Sequence, residues 1–116
     1  MVDYTGFFPT VDNAADWMIN LMNRVIDEST ALRVHSHIEE FDGATSPPGF
    51  AAVVLLDESH LTAHCYSQKG WLSIDCFTCG STDTAAIITA MEAAIKAASP
   101  SLKLEKRHSE NRFIIG

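Results

Sequence analysis

The sequence is poor in positive charge. It has eight Lys and Arg residues against 15 Asp and Glu, which gives a formal net charge of −7, and the basic residues form no dense stripe. Sequence-independent binding to nucleic acid needs such a stripe, because that binding comes mainly from neutralised phosphates. We therefore expect no nucleic-acid partner, whereas a cationic small molecule suits the acidic composition.

Long apolar runs and numerous cysteines are also lacking. No apolar run reaches the roughly 18 residues that cross a bilayer, and the first residues lack the basic and apolar regions of a secretory signal. Three cysteines, an odd number, do not suit a disulfide framework. These absences predict a protein with no membrane partner in a reducing cytoplasm.

The composition that remains is typical of one globular domain. The chain has 116 residues, of which 47% are hydrophobic and 20% charged, and it contains no internal repeat. A chain of this length can bury one core but leaves little room for a second domain. We expect a single domain over residues 1–116.

Apolar patterning predicts a strand, a helix, several strands, a helix and a closing strand. Residues 3–8 resemble a short edge strand, and residues 50–56 form an apolar run typical of a strand buried on both faces or close to it. The first helix would be capped by Thr10 or Asp12, and the second by Ser81 or Thr82. Because strands joined by short turns pair antiparallel, the expected fold class is α+β. The architecture is a two-layer α/β sandwich: a mostly antiparallel sheet with two helices on one face.

Glu58, Ser59 and His60 interrupt the chain abruptly after the apolar run. Period-2 alternation on the next strand places His60, His64 and Tyr66 on one face. A serine beside such a face can be a nucleophile with histidine as its base, although polar residues at strand ends often only satisfy backbone groups. A Ser-His-Asp hydrolase with Asp75 as the orienting group is a further alternative, but the sequence has no Gly-x-Ser-x-Gly motif.

The sequence contains one C-x-x-C motif, formed by Cys76 and Cys79. Zinc would need two more ligands, for which His60, His64 or the pair His35 and His37 could be nominated. Alternation along a strand sends the two thiols to opposite faces, at odds with shared ligation. We expect no metal, with Cys76 and Cys65 in the core.

Together these residues resemble the short prokaryotic S-adenosylmethionine decarboxylase proenzymes. The resemblance lies in the sequence Glu-Ser-His-Leu-Thr-Ala-His at 58–64, in Asp75 and the Phe-Thr-Cys-Gly at 77–80, and in the Ser-Pro-Pro-Gly loop at 46–49. The close match covers about a third of the chain, and the order of helices and strands agrees over nearly all of it. The combination of motifs is specific, whereas each motif alone would be weak.

The resemblance implies that the chain cuts itself between Glu58 and Ser59 into fragments 1–58 and 59–116. Ser59 would become a covalent pyruvoyl cofactor, which forms a Schiff base with the substrate amine and acts as an electron sink for decarboxylation. His64 would be the acid/base of this processing, and Cys79 would protonate the substrate carbanion. His60 and Asp75 would orient these groups.

The implied activity is a carboxy-lyase reaction on S-adenosylmethionine that supplies the aminopropyl donor for spermidine biosynthesis. Phe41 and Tyr66 are the aromatic residues that we expect to contact this substrate, since aromatic rings stack on nucleosides. The implied assembly is a homodimer of processed protomers.

Three positions depart from the family pattern. Ala51 stands where many members have a serine that assists processing, Thr45 where members often have a stacking aromatic residue, and Gln68 where a carboxylate is usual. These departures leave two alternatives open: an arginine or ornithine decarboxylase on the same fold, and an unprocessed, non-catalytic homologue.

Overall fold

The computed structural model describes residues 1–78 and 82–112. These residues form a six-stranded sheet and two helices. The strands are β1 (Val2–Thr5), β2 (Arg33–Phe41), β3 (Gly49–Leu56), β4 (Ser59–Tyr66), β5 (Trp71–Phe77) and β6 (Lys103–Arg107). The helices are α1 (Ala14–Asp27) and α2 (Thr84–Ala98). Neither helix has the length and apolar composition needed to cross a bilayer, as far as the described residues go.

The strand order in the sheet is β2-β3-β4-β5-β1-β6, and every neighbouring pair is antiparallel. Strands β2 to β5 follow one another as a meander, which confirms the predicted antiparallel sheet. The sequence suggested that the first strand is an edge strand. This prediction is wrong, because β1 lies between β5 and β6. The β1–β5 and β1–β6 pairs join residues that are far apart along the chain. Local apolar patterning does not indicate such pairing.

Both helices pack on the same face of the sheet and touch each other. Their buried side chains and the inward residues of the strands form one core, which confirms the two-layer sandwich with two helices on one face. The fully buried large side chains are Phe7, Met18, Met22, Ile26, Leu61, Leu72, Ile74, Met91, Ile95, Val2 and Val54.

The two helices begin at residues that the sequence analysis did not select. Asn13 caps α1 by accepting from the backbone N–H of Asp16, and Asp83 caps α2 by accepting from that of Ala86. The predicted caps lie one to three positions too early. Ser, Thr, Asp and Asn are all good N-caps, so the choice among neighbouring candidates falls to the tertiary packing that fixes where each helix axis starts.

Strand β3 is covered on one face only. Its residues alternate between buried and partly exposed positions from Gly49 to Leu56, and Leu55 is 44% exposed. The prediction of burial on both faces is therefore wrong for the single chain. We call the sheet surface opposite the helices the outer face; it carries an apolar strand without cover from the described residues of its own chain.

The loop after β1 is held against the end of α2 by the buried hydroxyl of Ser99. This residue has no exposed surface; its Oγ accepts from the N–H of Phe8 at 2.9 Å and donates to the carbonyl oxygen of Gly6 at 3.0 Å. The hydroxyl of the exposed Ser101 also donates to Gly6 O, at 2.6 Å. The buried Ser99 hydroxyl thus satisfies one backbone donor and one backbone acceptor of this loop.

We expect Ser99→Ala to lower the free energy of unfolding by about 1 kcal/mol, because the hydrogen bonds to Phe8 N–H and Gly6 O are lost. Urea unfolding of chains that also carry Ser59→Ala, so that cleavage does not complicate the transition, measures the change. Ser101→Ala is the matched control and should cost much less, since water can replace its exposed hydroxyl. Equal losses in the two variants would contradict the role given to Ser99.

Candidate functional site

The Glu58–Ser59 bond lies in the tight turn between β3 and β4. Leu56 and Ser59 are paired across the hairpin, so Asp57 and Glu58 form a two-residue turn. Glu58 has a φ of 63°, and it is the only non-glycine residue with positive φ in the described part of the chain. The left-handed conformation costs a side-chain-bearing residue about 1–2 kcal/mol. The residue before the candidate scissile bond is therefore held in a strained conformation.

Alternation along β4 separates the two sides of the candidate site. Leu61, Ala63 and Cys65 are buried against the helices, whereas His60, His64 and their neighbours Thr62 and Tyr66 lie on the outer face. This confirms the predicted face of β4. Ser59, at an odd-numbered position like Leu61, lies on the side of β4 that faces the helices.

Ser59 and His64 do not meet within one chain. They lie on opposite sides of β4 and five residues apart, a separation of about 16 Å at the usual rise of an extended strand. The geometry of one protomer therefore gives Ser59 no contact with the histidine expected to act on it.

A row of aromatic residues crosses the outer face at the other end of β4. Phe41 pairs with Gly49, Gly49 with Tyr66, and Tyr66 with Trp71. The rings of Tyr66 and Trp71 are 6.1 Å apart, and Lys69 Nζ lies 4.3 Å from the Trp71 centroid. The structure thus brings the two predicted substrate-binding residues into one row, but about 23 Å from Ser59 along the strand.

A cavity of about 650 Å³ opens beside His60. Strand β5 contributes Asp75, Cys76 and Phe77 to its wall, and residues 107–112 contribute much of the remainder. The rings of His60 and Phe77 are 5.6 Å apart, and the guanidinium carbon of Arg112 lies 4.7 Å from the Phe77 centroid. His60, which directly follows Ser59, connects this cavity with the strained turn.

Comparison with known proteins identifies the family of the chain. The family model for S-adenosylmethionine decarboxylase matches residues 1–108 of the chain. The chain belongs to the S-adenosylmethionine decarboxylase family.

Individual relatives extend the comparison. The S-adenosylmethionine decarboxylase proenzyme of a Sulfurihydrogenibium species is 30% identical over 93 residues, which are 80% of this chain and 65% of that protein. S-adenosylmethionine decarboxylase proenzyme 2 of Bacillus cereus is 45% identical over 56 residues, 48% of this chain and 42% of that protein. The matched part of the chain thus spans less than two thirds of either relative.

A solved structure has the same fold. The crystal structure of the adenosylmethionine decarboxylase from Aquifex aeolicus superposes with a TM-score of 0.60 at 20% identity, covering 99% of this chain and 93% of that one. The α+β architecture is therefore one that the decarboxylase family uses.

The other residues that the sequence analysis singled out do not cluster at one site. Asp75 lines the cavity, whereas Cys79 lies outside the described residues. His35 and His37 are exposed on β2, and His37 Nε2 is 2.9 Å from Glu39 Oε2. No three His, Cys, Asp or Glu side chains converge as metal ligands within residues 1–78 and 82–112.

Sequence reasoning gave no role to Arg112, Trp71 or the Phe77 ring. Phe77 belongs to the family motif, but its contact with His60 depends on the β4–β5 register. Arg112 carries no local signal at all, because it reaches Phe77 from a segment that is distant in sequence.

Two thiols of the decarboxylase-family chain are kept protonated by burial. Cys65 is buried in the core and Cys76 is half-buried on the cavity wall. Burial raises the pKa of each thiol to about 11, because the low-dielectric interior disfavours the thiolate. Neither group is therefore poised as a nucleophile near neutral pH.

We expect Cys65 and Cys76 to resist iodoacetamide at pH 7.5, where only a small fraction of each thiol is ionised. Because both pKa values are raised, the thiolate fraction and the alkylation rate should rise about tenfold for each pH unit until the pH approaches 11. Peptide mapping by mass spectrometry measures each site, and the same chain in urea is the control. Alkylation of folded and unfolded chains at equal rates at pH 7.5 would contradict this assignment.

Proposed function

We propose that this chain is a self-processing, pyruvoyl-dependent S-adenosylmethionine decarboxylase, a carboxy-lyase that supplies the aminopropyl donor for spermidine biosynthesis. The observation that carries the proposal is the strained Glu58–Ser59 turn beside a cavity, in a chain of this family. Decarboxylation needs an electron sink for the developing carbanion, which is what a pyruvoyl group supplies.

Maturation begins with attack of Ser59 Oγ on the carbonyl carbon of Glu58, which exchanges the peptide bond for an ester and leaves an amine on residue 59. Elimination across Cα and Cβ of residue 59 releases Glu58 as a carboxylate and leaves a dehydroalanine. Hydrolysis of that residue expels ammonia and leaves pyruvoyl at the start of fragment 59–116. Ser59 fits this route because it directly follows the turn, with its hydroxyl one residue from the carbonyl that it attacks.

Backbone strain favours this bond over others in the chain. The left-handed φ of Glu58 raises the free energy of the intact turn by about 1–2 kcal/mol. Cutting the chain after Glu58 releases that strain.

We expect the purified protein to consist of two fragments that break at Glu58–Ser59, and the Ser59→Ala chain to stay intact, because alanine has no hydroxyl to attack the carbonyl. Denatured mass spectrometry of both proteins makes the measurement. Ser67→Ala, at an exposed position after β4, is the control and should cleave normally. A parent chain that remains intact would instead support a non-catalytic homologue.

The cleaved protein should release carbon dioxide from carboxyl-labelled S-adenosylmethionine. The same assay with arginine and ornithine separates the alternatives, because Thr45 and Gln68 change the expected nucleoside contacts. Turnover of either amino acid with none of S-adenosylmethionine would replace the proposed substrate and leave the processing mechanism intact.

The proposed site also requires a second copy of the chain. His64 lies on the outer face about 16 Å along β4 from Ser59, so it can act on the Glu58–Ser59 bond only from another protomer. A two-fold interface is isologous, and one pairing therefore delivers His64 to both turns. We propose a homodimer that pairs the two outer faces.

The composition of the outer face supports this pairing. Its central positions include Ala51, Val53 and Leu55 on β3, and several large apolar side chains there are about two-fifths or more exposed. These residues form an apolar stripe one strand wide, flanked on β2 and β4 by polar residues such as His37 and Thr62, and exposed apolar surface is found at association sites. Tyr66 and Phe41 lie on the same face as His64, so a pairing that brings His64 to a second turn also carries these aromatic residues toward that site as substrate contacts.

Coexpression of His64→Ala with Ser59→Ala, under different tags, tests the shared site. Alone, neither variant should be cleaved. In the mixed dimer, the His64→Ala chain still has Ser59 and receives His64 from its partner, so we expect that chain alone to be cut. Mass spectrometry of the doubly purified complex gives the result. An intact His64→Ala chain in a verified mixed dimer would contradict the arrangement, as would cleavage of His64→Ala by itself.

Two further expectations stay predictions. Cys79, two positions after Phe77, is our proposed proton donor to the carbanion that follows loss of carbon dioxide. The second is a cytoplasmic location, which the odd number of cysteines favours and which cell fractionation tests.

A further inference from the structure

The cavity beside the turn contains a cation that belongs to the chain itself. The guanidinium carbon of Arg112 lies 4.7 Å from the Phe77 centroid, and Phe77 packs against His60, the residue after Ser59. Residues 108–112 follow the edge strand β6 and line the cavity together with β5. The chain therefore returns across the sheet and places a positive charge over the ring that packs against His60.

The wall around Arg112 has the chemistry of a cation-binding site. The face of Phe77 attracts a guanidinium, ammonium or sulfonium group through its quadrupole. Asp75 lines the same cavity and has no ion-pair partner among residues 1–78 and 82–112. Of the acidic and basic side chains on the wall, Asp75 and Glu110 balance Arg107 and Arg112. The amino terminus of Met1 also lines the cavity, so loss of Arg112 would leave the positive and negative charges of the wall in balance.

We propose that Phe77 and Asp75 form a subsite for an organic cation, and that Arg112 occupies it as an internal competitor. A guanidinium, ammonium or sulfonium ligand must displace Arg112 to reach the ring. The bearing of this subsite on turnover rests on the proposed function, in which the substrate carries an ammonium and a sulfonium group beside the pyruvoyl centre.

The competition is effective because Arg112 is tethered. A side chain linked to its binding site by a short stretch of chain acts at an effective concentration in the millimolar range. It therefore weakens ligands whose own dissociation constants are millimolar, which is the range of small organic cations. Removing the side chain should tighten such a ligand about fivefold, the order expected for a partly exposed cation–π contact.

The direct test is an NMR titration of the full-length Ser59→Ala chain with methylguanidinium, followed on the signals of Phe77 and His60. We expect Arg112→Ala to tighten methylguanidinium binding about fivefold and Arg112→Lys to behave like the parent, since lysine keeps the cation. Methylurea has the same shape without the charge, and its response should not change. Lys103→Ala removes one positive charge from an exposed residue of β6 outside the cavity wall and should leave the titration unchanged.

Three results would overturn the proposal. They are unchanged methylguanidinium affinity in Arg112→Ala, an equal gain in Lys103→Ala, which would indicate the net charge alone, and an equal gain for methylurea. Phe77→Leu, which keeps apolar volume without the ring, should abolish the gain; a gain that persists would exclude the ring as the binding surface. The dispersion of the NMR spectrum reports folding of each variant.

A second measurement connects the subsite to turnover. In the cleaved protein, Arg112→Ala should lower KM for S-adenosylmethionine by a similar factor. An unchanged KM in a variant that binds methylguanidinium more tightly would refute the competitor role. If the parent chain neither cleaves nor decarboxylates, the proposed function fails, while the titration on Ser59→Ala still decides whether the subsite exists.

Discussion

The register of the β3–β4 hairpin is the constraint on which the rest of the structure depends. Pairing of Leu56 with Ser59 confines the turn to Asp57 and Glu58 and holds Glu58 in a left-handed conformation. The same register assigns each residue of β4 to the core or to the outer face, because side chains alternate along a strand. A slip of one residue would bury His60 and His64 and expose Leu61. The core therefore stabilises the strained turn indirectly, through burial that only one register allows.

A sheet covered on one face leaves part of the apolar surface of the chain outside its own core. The helices cover the inward-facing residues of the sheet. The partly apolar outer face, with His64 and the aromatic row, stays uncovered. An extended strand is stiff and long, so residues spaced along it cannot converge on one point. In the proposed homodimer, residues of β4 from the two chains would meet between the paired sheets.

The fold was largely predictable, and the errors have physical causes. Alternation and helical spacing identified the core residues of α1 and β4, since burial imposes those periods directly on the sequence. The position of β1 between β5 and β6 was missed because pairing between distant strands leaves no local pattern. Burial of β3 on both faces was predicted from its apolar run, yet Leu55 is exposed in the single chain. In the proposed homodimer, a second copy would cover that surface.

The sequence by itself determined the family, the fold class and the position of the candidate scissile bond, because the Glu-Ser-His motif and the apolar strand before it are contiguous in the chain. Only the tertiary structure decided that Ser59 and His64 stand far apart, that Phe41 and Tyr66 share a row, and that Arg112 lies over Phe77. These relations depend on strand register and on the path of the chain across the sheet. Both are set by the packing of the whole domain, which brings together residues that no local motif connects.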